Sequence, residues 1–185
     1  MLRTVIACAA LGALSWAGAA SAAVMVLGEG PASACYEAAR ADRSDRDALH
    51  DCDMALEGPI TMRDRVATRI NRGIIYVNRR QADLALADFN EAIRLSPELG
   101  EAHVNRGAAL MLSGDFEAAI ASINEGIALN TNEMHKAYFN RAIAYEELGQ
   151  LRLAYEDYQR AASLAPDWGS PRAELARFSV RRRGE

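Results

Sequence analysis

The sequence predicts an all-α solenoid of antiparallel helix pairs, and three observations carry that prediction. A triplet recurs about every 34 residues: Asn71-Arg72-Gly73, Asn105-Arg106-Gly107 and Asn140-Arg141-Ala142. Behind each copy runs a matching train: Tyr76, Ala85, Phe89, Ala92, Pro97; then Leu110, Ala119, Ile123, Gly126, Thr131; then Tyr145, Ala154, Tyr158, Ala161, Pro166. Each copy is also interrupted by a break signal: Arg79-Arg80-Gln81, Ser113-Gly114-Asp115 and Leu148-Gly149-Gln150. The third copy is one residue out of step because Asn132-Glu133-Met134 carries an extra residue. A fixed period of this size marks stacked supersecondary units, none of which buries its apolar face alone.

The chain divides accordingly. Residues 1–22 read as an export leader: Met1-Leu2-Arg3 is a short basic start, Thr4–Leu27 holds no charged residue, and Ala20-Ser21-Ala22 fits a small-x-small cleavage pattern. Cleavage after Ala22 or Ala23 is expected, with a retained membrane anchor as the alternative. Cys8 lies at the front of the apolar stretch instead of its end, which argues against lipidation there. Residues 23–31 follow as a linker. Residues 32–64 form a degenerate helix pair, about Ala32–Ala41 and Asp45–Leu56, closed by Gly58-Pro59. Three full units follow at 65–99, 100–134 and 135–168, with Asp115 as a helix N-cap and Pro97 and Pro166 at helix boundaries. Ser170-Pro171 reads as the start of a helix reaching about Arg181, so that 169–185 forms a capping helix and basic tail.

The repeat resembles the tetratricopeptide repeat over roughly residues 65–167. The small residues carry the likeness: Gly73, Gly107 and Ala142, then Ala85, Ala119 and Ala154, because two helices approach closely only where side chains are small. The departures are specific. Arg69, His103 and Tyr138 stand where the repeat usually carries a large aromatic residue, and Arg72, Arg106 and Arg141 stand where an apolar residue usually precedes the glycine. The resemblance implies a right-handed superhelical solenoid whose first helices line a concave surface.

Composition excludes more than it assigns. The net charge is −4, and the leader carries Arg3 and no acid, so its removal makes the chain more acidic; nucleic acid is not an expected partner. Half the chain is apolar with few aromatics, as packed helices require. There is no phosphate-cradling loop, nucleophile elbow or histidine pair at metal spacing, and His50, His103 and His135 fall in different units. Asp51-x-Asp53 lies within a predicted helix and lacks the glycine of a calcium loop. No enzyme activity, cofactor, metal or small-molecule substrate is expected.

Loss of Cys8 leaves Cys35 and Cys52, an even count for an oxidising compartment. In repeat register they sit on the two helices of the degenerate unit, where a disulfide would contribute about 3 kcal/mol. Two buried free thiols are the alternative.

The candidate site is the concave groove. An apolar stripe at i, i+4, i+7 reads Ile70, Ile74, Val77 in the first full unit, Val104, Ala108, Met111 in the second and Phe139, Ile143, Glu146 in the third. Beside it stand Asn71, Asn105 and Asn140, whose amides offer a donor and an acceptor to a peptide backbone of any sequence. The other reading of these asparagines is bonding within or between repeats. The stripe is expected to face the concavity, so that Ile74, Val104 and Phe139 tolerate aspartate without loss of fold. It is also open to cover by Val24–Gly30 or by a second copy of the chain. Asp88 and Asp157 are in register to pair with Arg72 and Arg141, whereas Ser122 in the middle unit sends Arg106 elsewhere, for example to Glu125. Arg172, Arg177 and Arg181-Arg182-Arg183 form a solvated helix end, with weak contact to an anionic surface as a sharper alternative. The expected function is an exported, non-catalytic periplasmic or secreted scaffold holding a protein or peptide in its groove, with envelope assembly or cell-wall enzyme recruitment as its setting; the alternative is a self-associating structural module.

Overall fold

A computed structural model describes residues 4–8, 19–26 and 28–182, the backbone alone at 4–8 and 179–182. Its described helices are α1 (Pro31–Arg40), α2 (Arg46–Glu57), α3 (Met62–Asn78), α4 (Ala82–Leu95), α5 (Gly100–Leu112), α6 (Phe116–Ala128), α7 (Met134–Glu147), α8 (Leu151–Leu164) and α9 (Gly169–Leu175). They pack in sequence as antiparallel pairs, giving the all-α superhelical stack that the period predicts. The helix starts have local causes. Asp45, Thr61 and Asp115 each accept a hydrogen bond from a backbone N–H of the first turn. Within each full unit, the turn between the helices passes through the left-handed region at Arg80, Gly114 or Gly149.

The small residues stand where the helices cross. A Cβ on Gly73 would lie 2.5 Å from the Phe89 ring, one on Gly107 2.4 Å from Ile123 Cγ1, and one on Gly126 2.5 Å from Val104 Cγ2. Phe89 and Ile123 of the second helices fill the space left by Gly73 and Gly107, and Val104 of a first helix fills the space left by Gly126.

Cys35 and Cys52 form a disulfide between α1 and α2. Both are fully buried among Ala38, Ala48 and Phe89, so the bridge ties a pair of small-residue helices to the core of the first full unit. Reduction should destabilise this end by about 3 kcal/mol. Hydrogen exchange in reductant should show amides of α1 and α2 opening before those of α5–α8; uniform opening would show that the bridge adds nothing local.

The repeated arginines knit units together. Arg72 Nε donates to Asp88 Oδ2 at 2.7 Å and Arg72 Nη1 to Asp53 Oδ1 of α2 at 2.7 Å. Arg141 Nε donates to Asp157 at 2.6 Å and Arg141 Nη1 to Asn124 of α6 at 2.6 Å. Each therefore joins its own second helix to that of the unit before. Burial works against the Arg72 charge, but the bonds and field of Asp88, with Asp53, outweigh it and hold the guanidinium above its ordinary pKa. In the middle unit the expected turn toward Glu125 does not occur by hydrogen bond. Arg106 Nε donates to Ser122 Oγ at 2.9 Å, and the Ser122 hydroxyl donates to the His103 carbonyl at 2.8 Å. Burial lowers the Arg106 pKa, and the field of Glu125 only partly offsets this. Asp88→Asn should cost about 2 kcal/mol by weakening charge-assisted bonds to Arg72 and Arg69, measurable in a denaturant melt. Ser122→Ala should cost less, since no carboxylate is lost.

Both ends depart from expectation. The final helix stops at Leu175 instead of about Arg181, and it starts at Gly169 with Trp168 at the cap position, so Ser170 lies inside it. Two residues beyond the helix the chain extends as β2 (Phe178–Arg182), antiparallel to β1 (Thr4–Cys8). The physical reason is Phe178: its ring sits 5.7 Å from Tyr155 and 5.9 Å from Tyr158, closing the open end of the last unit. Of the basic cluster, Arg177 pairs with Glu146 and Glu174 and Arg172 is exposed. The side chains of Arg181 and Arg182, and all of Arg183, lie outside the described residues. So do residues 9–18 of the expected leader. No described helix is long and apolar enough to cross a membrane.

Candidate functional site

The concave face is built by α3, α5 and α7, each contributing one asparagine at the same repeat position. Across them lies the chain's own segment Ala19–Val26 in extended form. Asn140 Nδ2 donates to the Ala20 carbonyl at 2.8 Å, and the Ala20 N–H donates to Asn140 Oδ1 at 2.8 Å. Asn105 does the same for Ala22 at 2.9 and 3.0 Å, and Asn71 for Val24 at 2.8 and 2.9 Å. Each amide thus satisfies both backbone groups of one residue, as a neighbouring strand would. Every second residue of the segment meets the asparagine of the next unit.

The segment starts before the cleavage pattern and runs through it into the residues read as a linker, of which 28–30 form a bend ahead of α1. In register, α1 presents Ala34 where later units present asparagine, and the ladder ends there. Val26 tucks against Ala32, Ala55 and Ala67, and the chain turns through Gly28 and Gly30, both at positive φ, into α1.

The predicted site residues separate into two groups. Asn71, Asn105 and Asn140 are fully buried, and their amides are spent on the segment rather than on bonds between repeats. The apolar residues Ile70, Ile74, Val104, Met111, Phe139 and Ile143 are also buried, and they offer no open apolar stripe. For some of them the cover is the solenoid itself, which corrects the expectation that they point into the concavity. Val104 Cγ2 lies where a Cβ on Gly126 would fall, and the Phe139 ring stacks 4.7 Å from Trp168 and 5.7 Å from Tyr158. Ile70 and Ile74 belong to the core around Phe89, with Ala23 and Val24 packed on it. Phe139 does both, since it also lines a hollow of about 490 Å³ beside Ala19 and Ala20. A second hollow of similar size lies beside Val24 and Met25, against Met62 and Val66.

Sequence reasoning missed three participants. Lys136 Nζ donates to the Ser21 carbonyl at 2.7 Å while paired with Glu133. Trp168, outside the repeats, walls one hollow. Glu101 accepts from Asn132 at 2.7 Å and walls the other. Only Lys136, following the linker with the extra residue, lay close enough to the ladder to be suspected. His103 is nearly buried with Nε2 2.9 Å from the Pro97 carbonyl. Among the described residues no three His, Cys, Asp or Glu side chains gather as a metal site.

Comparison with known proteins agrees with this architecture. Tetratricopeptide repeat models match residues 70–133 and 135–167. Tetratricopeptide repeat protein 36 of Xenopus tropicalis is 34% identical over 87 residues, covering 45% of this chain and 43% of that protein. The lipoprotein NlpI homolog of Haemophilus influenzae is 24% identical over 103 residues, 56% of this chain and 32% of that protein. The chain therefore spans less than half the length of these curated relatives. Among solved structures, the first TPR of Spaghetti (RPAP3) bound to the HSP90 peptide SRMEEVD superposes with a TM-score of 0.57 at 26% identity, over 60% of this chain and 89% of that one. MamA superposes with a TM-score of 0.60 at 20% identity, over 76% of this chain and 80% of that one, a likeness of fold. The chain is a member of the tetratricopeptide repeat family.

Proposed function

We propose that the protein is an exported, non-catalytic scaffold that holds an extended segment of a partner protein in its concave groove. One observation carries this reading: three asparagines, one per repeat, each bond both backbone groups of alternate residues in an extended segment. Such a ladder recognises backbone, so it gives affinity without demanding a particular sequence. The RPAP3 domain, similar in fold and sequence, is solved with a peptide bound. Export rests on the basic start, the uncharged run and the Ala20-Ser21-Ala22 pattern; envelope assembly or cell-wall enzyme recruitment is the role proposed for that compartment. A second reading has a specific observation behind it. Because Ala19–Val26 already lies in the groove, the same ladder serves a structural module closed by its own chain.

Capture from envelope extract tests the first reading. The folded parent should retain a partner, and Asn71→Ala, Asn105→Ala and Asn140→Ala should each weaken capture by about 1–3 kcal/mol through an unpaired partner amide. A folded triple variant that retains the same partner would move the binding surface elsewhere. Loss of the cooperative melt on removal of the leader would favour the closed module, which needs Ala20 and Ala22 in place.

A further inference from the structure

We infer that Ala19–Val26 is an intramolecular stand-in for the groove's ligand, and that the ligand is an extended segment with small side chains at the clamped positions. The inference rests on the groove reading above and adds its register, direction and side-chain selectivity. Burial is deepest at the central rung and at the end of the segment: Ala22 is 1% exposed and Val26 7%, whereas Met25 is 57% exposed and the other residues are partly buried. The clamped positions carry Ala20, Ala22 and Val24. At the central rung the enclosure is complete, so any side chain beyond a methyl group there displaces packed atoms. At the flanks, the two hollows of about 490 Å³ leave room for larger neighbours. The direction is set as well: the segment meets Asn140 first, then Asn105, then Asn71, running against the order of the repeats.

The cleavage pattern lies inside this bound stretch. A cut after Ala22 removes the residues held by Asn140 and Asn105 and leaves Val24 on Asn71. Leader removal thereby converts a closed groove into one with two vacant rungs and one filled. The four side-chain amide groups of Asn105 and Asn140, Oδ1 and Nδ2 of each, are buried in the closed form and then need a new extended backbone. The Lys136 ammonium, which donates to the Ser21 carbonyl, is released at the same point to donate to a carbonyl of the incoming segment.

The test uses the full chain and a fluorescein-labelled peptide with the sequence of Ala19–Val26. Ala22→Arg should expel the internal segment, and that variant should bind the peptide at least tenfold more tightly than the parent chain. Adding Asn105→Ala should abolish the gain, and an Ala22→Leu change within the peptide should weaken it at least tenfold. Equal binding by parent and variant, or indifference to Asn105→Ala, would overturn the inference. Hydrogen exchange on the unaltered chain decides the matter even if Ala22→Arg unfolds. The amides of Ala20, Ala22 and Val24 should exchange through local opening, far faster than the α4 amide of Ala85. Exchange of all four only through global unfolding would make the segment a permanent part of the core. Failure of the peptide with persistence of asparagine-dependent capture from extract would remove this inference and leave the groove reading standing.

Discussion

Gly107→Leu should lower the melting temperature more than any other single glycine substitution in the first helices, with a cost beyond the about 1–3 kcal/mol of ordinary overpacking. The added Cβ alone falls 2.4 Å from Ile123 Cγ1, 3.0 Å from Cδ1 and 3.2 Å from the Ala119 carbonyl. Ile123 Cγ1 sits next to its own Cβ and is stiff at χ1, and the carbonyl is helix backbone; neither retreats without moving α6. The branched end of leucine then meets the same wall. Gly73 offers a useful contrast. Its Cβ would meet only the Phe89 ring, at 2.5, 2.8 and 3.0 Å, and a ring edge can pivot. The third unit already carries Ala142 at this position, buried beside Tyr158 in the same cluster. Gly73→Ala should therefore be milder than Gly107→Leu. Thermal melts followed by circular dichroism check both; a Gly107→Leu protein that melts like the parent would show that α5 and α6 do not cross there.

Much of this architecture was legible because it is local and repeated. The 34-residue register marks Gly73 and Gly107 as places of close helix approach, and it pairs Arg72 with Asp88 and Arg141 with Asp157. The asparagine ladder was legible as a row of backbone-matching amides because its spacing is the repeat's own. Its occupant was not. Ala19–Val26 is nearly all small and apolar, so its period of two leaves no polar–apolar alternation to read, and an export leader explains the same composition. The C-terminal strand was hidden for the opposite reason. Ser170-Pro171 and a run of arginines satisfy the rules for a helix with a favourable end, and only the rings of Tyr155 and Tyr158 give Phe178 a cause to leave it. Nor does an i, i+4, i+7 stripe say which neighbour covers it. A first helix in a stacked pair touches its own second helix, the preceding unit and the groove, and Val104 and Phe139 answer to α6, α8 and Trp168.

That last distinction predicts the largest effect of all: combined Ile74→Asp, Val104→Asp and Phe139→Asp should abolish the fold, not merely empty the groove. Phe139 is 1% exposed between the rings of Tyr158 and Trp168, and its loss as an aromatic costs about 3–5 kcal/mol before any charge is considered. A carboxylate in its place has no guanidinium assigned to it, since Arg141 is already spent on Asp157 and Asn124. It must then be desolvated unpaired or take a proton, and either adds to the cost. Ile74 and Val104, at 0% and 1% exposure, repeat the penalty in the two preceding units. The sum exceeds the about 5–15 kcal/mol by which a domain of ordinary stability is folded. Circular dichroism should show loss of the helical signal and of the cooperative melt. Phe139→Leu, which keeps an apolar side chain, should retain both with a lower midpoint. A triple variant that kept its helical signal and melted cooperatively would place these side chains in the concavity after all. The asparagine ladder would then share its work with an apolar stripe that a partner can reach.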